Sequence, residues 1–163
     1  MPLDHARAKL AKAQLALVQT LTRRIRSPGD FDAARLQAAA DALIQKRTRS
    51  VSRAWPSLRR ALGRRFLDQF TEFAATATMP SHGGPLADGR AFVRHLDDRG
   101  ELPEEVRMEA LAVDLRFAAI HDGLIPRHLP TVRIGWFPRR VGLVVAVHVP
   151  WLGEYWWSTG GRA

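Results

Sequence analysis

Arginine supplies most of the chemistry this sequence could offer. Lys46, Arg47, Arg49, Arg53, Arg59, Arg60, Arg64 and Arg65 follow one another with no acid between Asp41 and Asp68. A guanidinium holds a phosphate or carboxylate through two parallel hydrogen bonds. Arg53, Arg59, Arg60, Arg64 and Arg65 are therefore candidates for an anion- or partner-binding surface. The plainer alternative is a solvated helical face, which is what most charge runs are.

The other reactive residue types lack the spacing that catalysis needs. His5, His82, His95, His121, His128 and His148 include no pair at helical metal-ligand spacing and no HExxH. Asp97-Asp98 and Glu104-Glu105 are adjacent pairs, and neighbours on a helix point in different directions. Glu109 and Asp114 fall in an otherwise apolar helical stretch, where a buried carboxylate needs an arginine partner. No serine occupies a G-x-S-x-G elbow. The chain has no cysteine, which excludes disulfides, thiolate metal sites and cysteine nucleophiles. The expectation is a protein that is not an enzyme, with no catalytic or metal residues and no cofactor.

Composition sets the frame around these residues. The 163 residues, 46% hydrophobic, suffice for one domain with a small appendage and a buried core. A net charge of +9 favours anionic partners: nucleic acid, acidic protein or acidic peptide. The excess is mostly arginine, which a GC-rich genome would encode in place of lysine, so charge alone names no partner. The first twenty residues are amphipathic and lack the apolar run of a secretion signal. The run GLVVAVHVPWLG is too short to cross a bilayer. A cytoplasmic protein with no membrane contact is expected.

Several helices must position the arginines. Leu10, Leu17, Val18, Leu21 and Ile25 give one stripe over Asp4 to Arg24, stopped by Ser27-Pro28-Gly29. Asp30 can cap a second helix, whose run is Phe31, Leu36, Ala40, Leu43, Ile44, Arg47 and Val51. Trp55-Pro56 breaks it, and a short helix with Leu58 and Leu62 follows and stops at Gly63. Phe66, Leu67, Phe70, Phe73, Ala74 and Ala77 form the next stripe. Residues 79–89 read as a Pro- and Gly-rich loop, after which Asp88 caps a helix holding Phe92, Val93 and Leu96 and Gly100 ends it. Pro103-Glu104-Glu105 opens a last helix, with stripe Val106, Ala110, Val113, Phe117 and Ile120 and a stop at Gly123.

Beyond Gly123 the period changes from 3.6 to 2. Val132, Ile134 and Trp136 alternate with Thr131, Arg133 and Gly135. Val141, Leu143, Val145, Val147 and Val149 alternate with Gly142, Val144, Ala146 and His148. Pro138-Arg139-Arg140 connects the two strands as a hairpin, and Glu154 to Trp157 suggests a third strand. The fold class is α+β: a helical domain over residues 1–125 and a small antiparallel β appendage over residues 126–163. The tail tryptophans, Trp136, Trp151, Trp156 and Trp157, are expected to anchor the appendage to the helices. The competing reading is an exposed patch or strand edge that takes up a peptide. Arg133, Trp136, Arg139, Arg140, Val145 and Val147 are its candidate contacts.

The basic lead-in with Trp55-Pro56, then Leu58, Leu62-Gly63 and Phe66, the Pro80 loop, Gly89 with Phe92 and Leu96, Pro103 and Glu109 together carry a resemblance. The segment from about Arg47 to Phe117 resembles a bacterial family labelled as a DNA-binding domain. Its members include helper proteins of multinuclear iron-dependent oxidases with a TIM-barrel fold, among them the partner in methanobactin biosynthesis. Helices first and a small β part last also look like this family, especially its actinobacterial branch. The resemblance implies a non-catalytic subunit that docks the oxidase and helps recognise a ribosomally made precursor peptide, partly through its β region. The alternative is a DNA-binding, regulator-like protein that uses the arginine-rich helical face.

Overall fold

Prolines and glycines divide the chain close to where the sequence places its breaks. The computed structural model describes residues 33–138 and 141–160. Helices α1 (Ala33–Ala54), α2 (Pro56–Leu62), α3 (Arg65–Thr76), α4 (Gly84–Asp98) and α5 (Glu104–Arg116) come first. Strands β1 (Phe117–Ile120), β2 (Gly123–Pro126), β3 (Thr131–Phe137), β4 (Gly142–Val149) and β5 (Gly153–Ser158) follow. The class is therefore α+β, helical first and antiparallel β last. The helix expected over Asp4 to Arg24, its stop at Ser27-Pro28-Gly29 and the Asp30 cap lie outside the described residues, as do Arg139 and Arg140.

The chain forms two compact units. One comprises Met1–Ser50 and Leu67–Met79, the other Val51–Phe66 and Pro80–Ala163. In the first, the described part of α1 buries Ala40 and Ile44, and α3 buries Phe70, Phe73 and Ala74. Phe70 and Phe73 pack ring to ring at 5.8 Å. Arg47 is only 5% exposed. Its guanidinium donates to the carbonyls of Ala74 at 3.1 Å and Ala77 at 3.4 Å, at the C-terminal end of α3. Those carbonyls have no intrahelical partner, and a cation there meets the negative end of the helix dipole. Arg47 thus leaves the basic surface group and becomes a structural cap.

The second unit is built around Trp55. Its indole is fully buried and its Nε1 donates to the Leu86 carbonyl at 3.0 Å. Pro56 starts α2, where its missing N–H costs nothing, and Gly63 ends it at φ 55°, donating to Arg59 O at 3.0 Å. Leu58, Leu62, Phe66, Phe92, Val93, Leu96, Val106, Val113 and Leu115 complete the core. Each such side chain contributes about 1.5–3 kcal/mol of burial. Phe66 meets Phe92 edge to face at 6.2 Å. The phenylalanines Phe66, Phe70 and Phe73 are core residues, as their spacing indicates, whereas Leu67 on the same helix is 55% exposed.

Two elements differ from the expectation. Helix α4 begins at Gly84, not after an Asp88 cap, and Asp88 is buried inside it. Pro85 explains the earlier start, because proline favours the first turn of a helix. The last helix stops at Arg116, and Phe117 to Ile120 is a strand. It pairs antiparallel with β2, Ile120 opposite Gly123, around the turn residues His121 and Asp122. Gly123, just after these turn residues, holds a φ of 138° that a helix cannot continue through, and it outweighs the helical stripe.

The carboxylates inside α5 are both occupied. Asp114 takes two hydrogen bonds from Arg90, from Nε and Nη2, each 2.7 Å long. Glu109 instead accepts the Ser57 backbone N–H at 3.1 Å. One of the two therefore has the arginine partner that burial demands, and the other serves the first turn of α2.

Candidate partner-binding surface

The tail sheet has the strand order β3-β4-β5, and β1-β2 forms a separate sheet. Register places Val132 opposite Val147, Ile134 opposite Val145 and Trp136 opposite Leu143. It then places Val145 opposite Trp157 and Val147 opposite Tyr155. Directly opposed residues share a face. One face therefore carries Val132, Ile134, Trp136, Leu143, Val145, Val147, Tyr155 and Trp157.

That face looks away from α5. Val132, Ile134 and Trp136 are 56%, 65% and 61% exposed. Tyr155 and Trp157 are also exposed and stack on each other at 6.3 Å. The opposite row is Gly135 and Phe137 on β3 with Val144 and Ala146 on β4, and α5 packs against it. A Cβ added at Gly135 would come within 3.2 Å of Leu111 Cδ2. It would meet the Phe137 ring first, at 2.5 Å, so Gly135 makes room for that buried ring as well as for α5. Val132, Ile134, Trp136, Tyr155 and Trp157 are left in water, and Leu143, Val145 and Val147 are half-buried. An apolar face of this extent marks an interaction site more often than an accident.

Tryptophan placement overturns the anchoring expectation. Trp136, Trp151, Trp156 and Trp157 are all exposed. Trp151 stands wholly in solvent at the β4–β5 turn and holds a left-handed φ of 75°. The buried tryptophan is Trp55, in the helical part. Its residue type was legible, but its depth was not.

The peptide-contact candidates are divided by the pleat. Trp136, Val145 and Val147 lie on the outer face. Arg133 lies on the inner one, half-buried and opposite Ala146. Val132, Ile134, Leu143 and Tyr155 belong with the outer set although they were not among the peptide-contact candidates, and Trp157, one of the tail tryptophans of the exposed-patch reading, joins them. The signal that could have found them was the row of small residues, Gly135, Ala146 and Gly142, which fixes the helix-facing side.

Backbone direction adds an open edge. Thr159 N donates to Leu143 O at 2.9 Å, and Leu143 N donates to Thr159 Oγ1 at 3.1 Å. Leu143, Val145 and Val147 therefore address β5, so Val144 and Ala146 address β3. On β3 the residues bonded to β4 are then Thr131, Arg133, Gly135 and Phe137. Val132, Ile134 and Trp136 turn their N–H and C=O groups outward, where no described strand pairs with them. Pro130 and Pro138 bracket this edge.

The arginine candidates lie in the other exposed region. Arg53, Arg59, Arg60, Arg64 and Arg65 are all exposed, and all belong to the segment Val51–Phe66. Arg60 also reaches Ser57 Oγ at 3.4 Å and lines a cavity of about 380 Å³ with Ser57, Glu105, Met108 and Val141. Among the described residues, no group of His, Asp and Glu is arranged to hold a metal ion. No helix among them is long and apolar enough to cross a membrane.

His148 and Asp122 complete the polar features. His148 sits on the inner row between Thr131 and Glu154, and its Nδ1 is buried with no hydrogen-bond partner among the described residues. Glu154 meets Arg116 at 3.3 Å. Asp122, at the β1–β2 turn, accepts the Ser81 N–H at 3.3 Å. Its carboxyl is held below the ordinary range, chiefly by hydrogen bonding from Ser81 and then by the nearby His82 and His121.

Fold and surface together define an α+β module whose solvent-facing features are an arginine-rich segment and an apolar strand edge. Residues 11–98, more than half of the chain, match the family model described as SCO6045-like, C-terminal domain, and the chain belongs to that family. A relative named UPF0276 protein from Streptomyces avermitilis is 36% identical over 95 residues. Those residues are 58% of this chain but 19% of the relative, so the chain spans about a fifth of that protein's length. No solved structure matches.

Proposed function

We propose that this protein is a non-catalytic partner module for a larger enzyme. The enzyme is a TIM-barrel multinuclear iron oxidase acting on a ribosomally made precursor peptide. The helical surface docks the enzyme, and the strands from Arg133 to Val149 engage enzyme or peptide. The observation that carries this reading is the outer face of β3-β4-β5, apolar, exposed and ending in an open edge at Val132, Ile134 and Trp136. Strand addition there would draw affinity from main-chain bonds and selectivity from alternate side chains. The Streptomyces relative supports it further. A segment similar to this chain makes up 19% of that protein, so the module is carried on a much longer chain. Covalent linkage is one way to hold interacting parts at high effective concentration.

A pull-down from native cell extract after nuclease treatment, at low and high salt, tests the reading. Recovery of an iron-containing TIM-barrel protein that survives high salt is the expected result. Recovery of nothing once nucleic acid is digested, with DNA bound in the untreated low-salt control, would overturn it.

A second reading is DNA binding through Arg53, Arg59, Arg60, Arg64 and Arg65, favoured by the exposure of all five. Phosphate binding releases counterions, so affinity would fall steeply with salt and depend little on sequence.

A further inference from the structure

We propose that β3 pairs with β3 of a second copy of this chain, antiparallel about a two-fold axis at Ile134. The free protein would then be a dimer with one continuous sheet. Strand pairing across a two-fold needs a row of unpaired backbone groups that matches itself when reversed. Val132, Ile134 and Trp136 supply that row, because their N–H and C=O groups turn away from β4. Reversal about Ile134 sets Ile134 against its own mate and Val132 against Trp136 of the second copy. Each of these pairs is apolar against apolar, on the face that is already exposed.

Charge supports the same register. Arg133 is the charged residue of β3, and like charges directly opposite each other destabilise a strand pair. The two-fold at Ile134 sets Arg133 against Gly135, so the arginines do not face each other. The edge carries one of the usual guards, the inward-facing charge of Arg133, but no proline interrupts Thr131–Phe137 and its ladder to β4 has no bulge over that span. The other edge, β5, carries Glu154 among the residues that turn away from β4, so it is the less suited of the two.

The net charge of +9 opposes association of two copies. Salt screens that repulsion. Dimerisation therefore strengthens as salt rises, opposite to phosphate binding by the arginines. The proposal does not rest on the partner reading. A partner strand would compete for the same edge, but self-association is measured with the purified chain alone.

Sedimentation equilibrium from low micromolar to near-millimolar concentration, at low and high salt, is the first measurement. A monomer–dimer equilibrium that tightens with salt is expected. Ile134→Lys, at an exposed position, would set two lysines against each other and raise the dissociation constant about tenfold. The chain has no cysteine, which allows a clean test of register. Ile134→Cys should give a disulfide-linked dimer on mild oxidation. Val132→Cys and Trp136→Cys should each cross-link poorly alone and efficiently when mixed, because only the mixed pair is opposed. A monomer under all conditions would overturn the proposal. So would cross-linking of Ile134→Cys no faster than that of Glu101→Cys, an exposed site outside the sheet.

Discussion

The indole of Trp55 occupies the space that a side chain at position 89 would need. A Cβ built on Gly89 would overlap the ring at Cδ1 and Nε1. Helix α4 can approach Trp55 because residue 89 is glycine, and the approach lets Nε1 reach the Leu86 carbonyl. Gly89→Ala should therefore destabilise the protein by about 1–3 kcal/mol through overpacking. Trp55→Phe should cost a similar amount, because it leaves a void and removes the hydrogen bond to the Leu86 carbonyl. Urea denaturation followed by circular dichroism measures both. A neutral Gly89→Ala would mean that α4 can shift without loss.

Arg47 offers a second check. It is buried and donates to two carbonyls at the end of α3. Arg47→Met keeps much of the stem and removes the donors. The expected loss is about 1.5–3 kcal/mol, the range for hydrogen bonds from a charged group. The exposed Arg64→Met should stay within about 0.5 kcal/mol. Equal effects would place Arg47 back among the surface charges.

Acid should loosen the clip between residues 81–82 and the β1–β2 turn. The carboxyl of Asp122 titrates below its ordinary value in the folded protein. A depressed folded pKa contributes stability that is present above the unfolded value, about 3.9. That contribution is lost as pH falls through the folded pKa. Amide exchange at Ser81 should therefore be unchanged down to about pH 4 and faster, relative to intrinsic rates, in stronger acid. Asp122→Asn should remove this pH dependence. A carboxyl shift titrating at or above the ordinary value by NMR would contradict the geometry.

Tryptophan emission should report occupancy of the tail. Of five tryptophans, Trp55 is buried and the other four are exposed. The free chain should emit mainly as solvated indole and be quenched readily by acrylamide. Docking on the outer face should shift emission to the blue and protect Trp136 and Trp157, whereas binding at Arg59 to Arg65 should leave both unchanged. Trp136→Phe and Trp157→Phe variants assign the signal.

Local signals carried much of the fold. Pro56 and Gly63 delimit α2, Pro103 opens α5, and alternation from Thr131 to Val149 marks two strands, because each acts through its own backbone preferences. The misreadings arose where two local signals competed. Phe117 and Ile120 fit a helical stripe, and Asp122-Gly123 fits a hairpin turn; the turn prevailed. Gly83-Gly84-Pro85 looks like a loop until Pro85 is placed in a first turn. Arg47 lay both on the buried stripe of α1 and within the basic run, and only tertiary packing decides between them.

The candidate site was legible only as a pattern. Alternation sorted the strand residues into two rows, but which row meets α5 depends on packing. The row of Gly135, Phe137, Val144 and Ala146 faces α5, which puts Trp136, Val145 and Val147 outside and Arg133 inside. Exposure of Arg53, Arg59, Arg60, Arg64 and Arg65 is what a basic run without acids suggests. The depth of Trp55 against the openness of Trp151 could not be read from residue type, because indole serves in both settings.

Trp151 sets fold and use in opposition. Its left-handed backbone is one that glycine adopts freely and that costs a larger residue about 1–2 kcal/mol. Its side chain lies wholly in water. Glycine there would relax the turn, and the folded chain would give up only an indole that supports none of its structure. The indole at this position therefore adds nothing to the stability of the single chain, and whatever it contributes lies in what the chain touches.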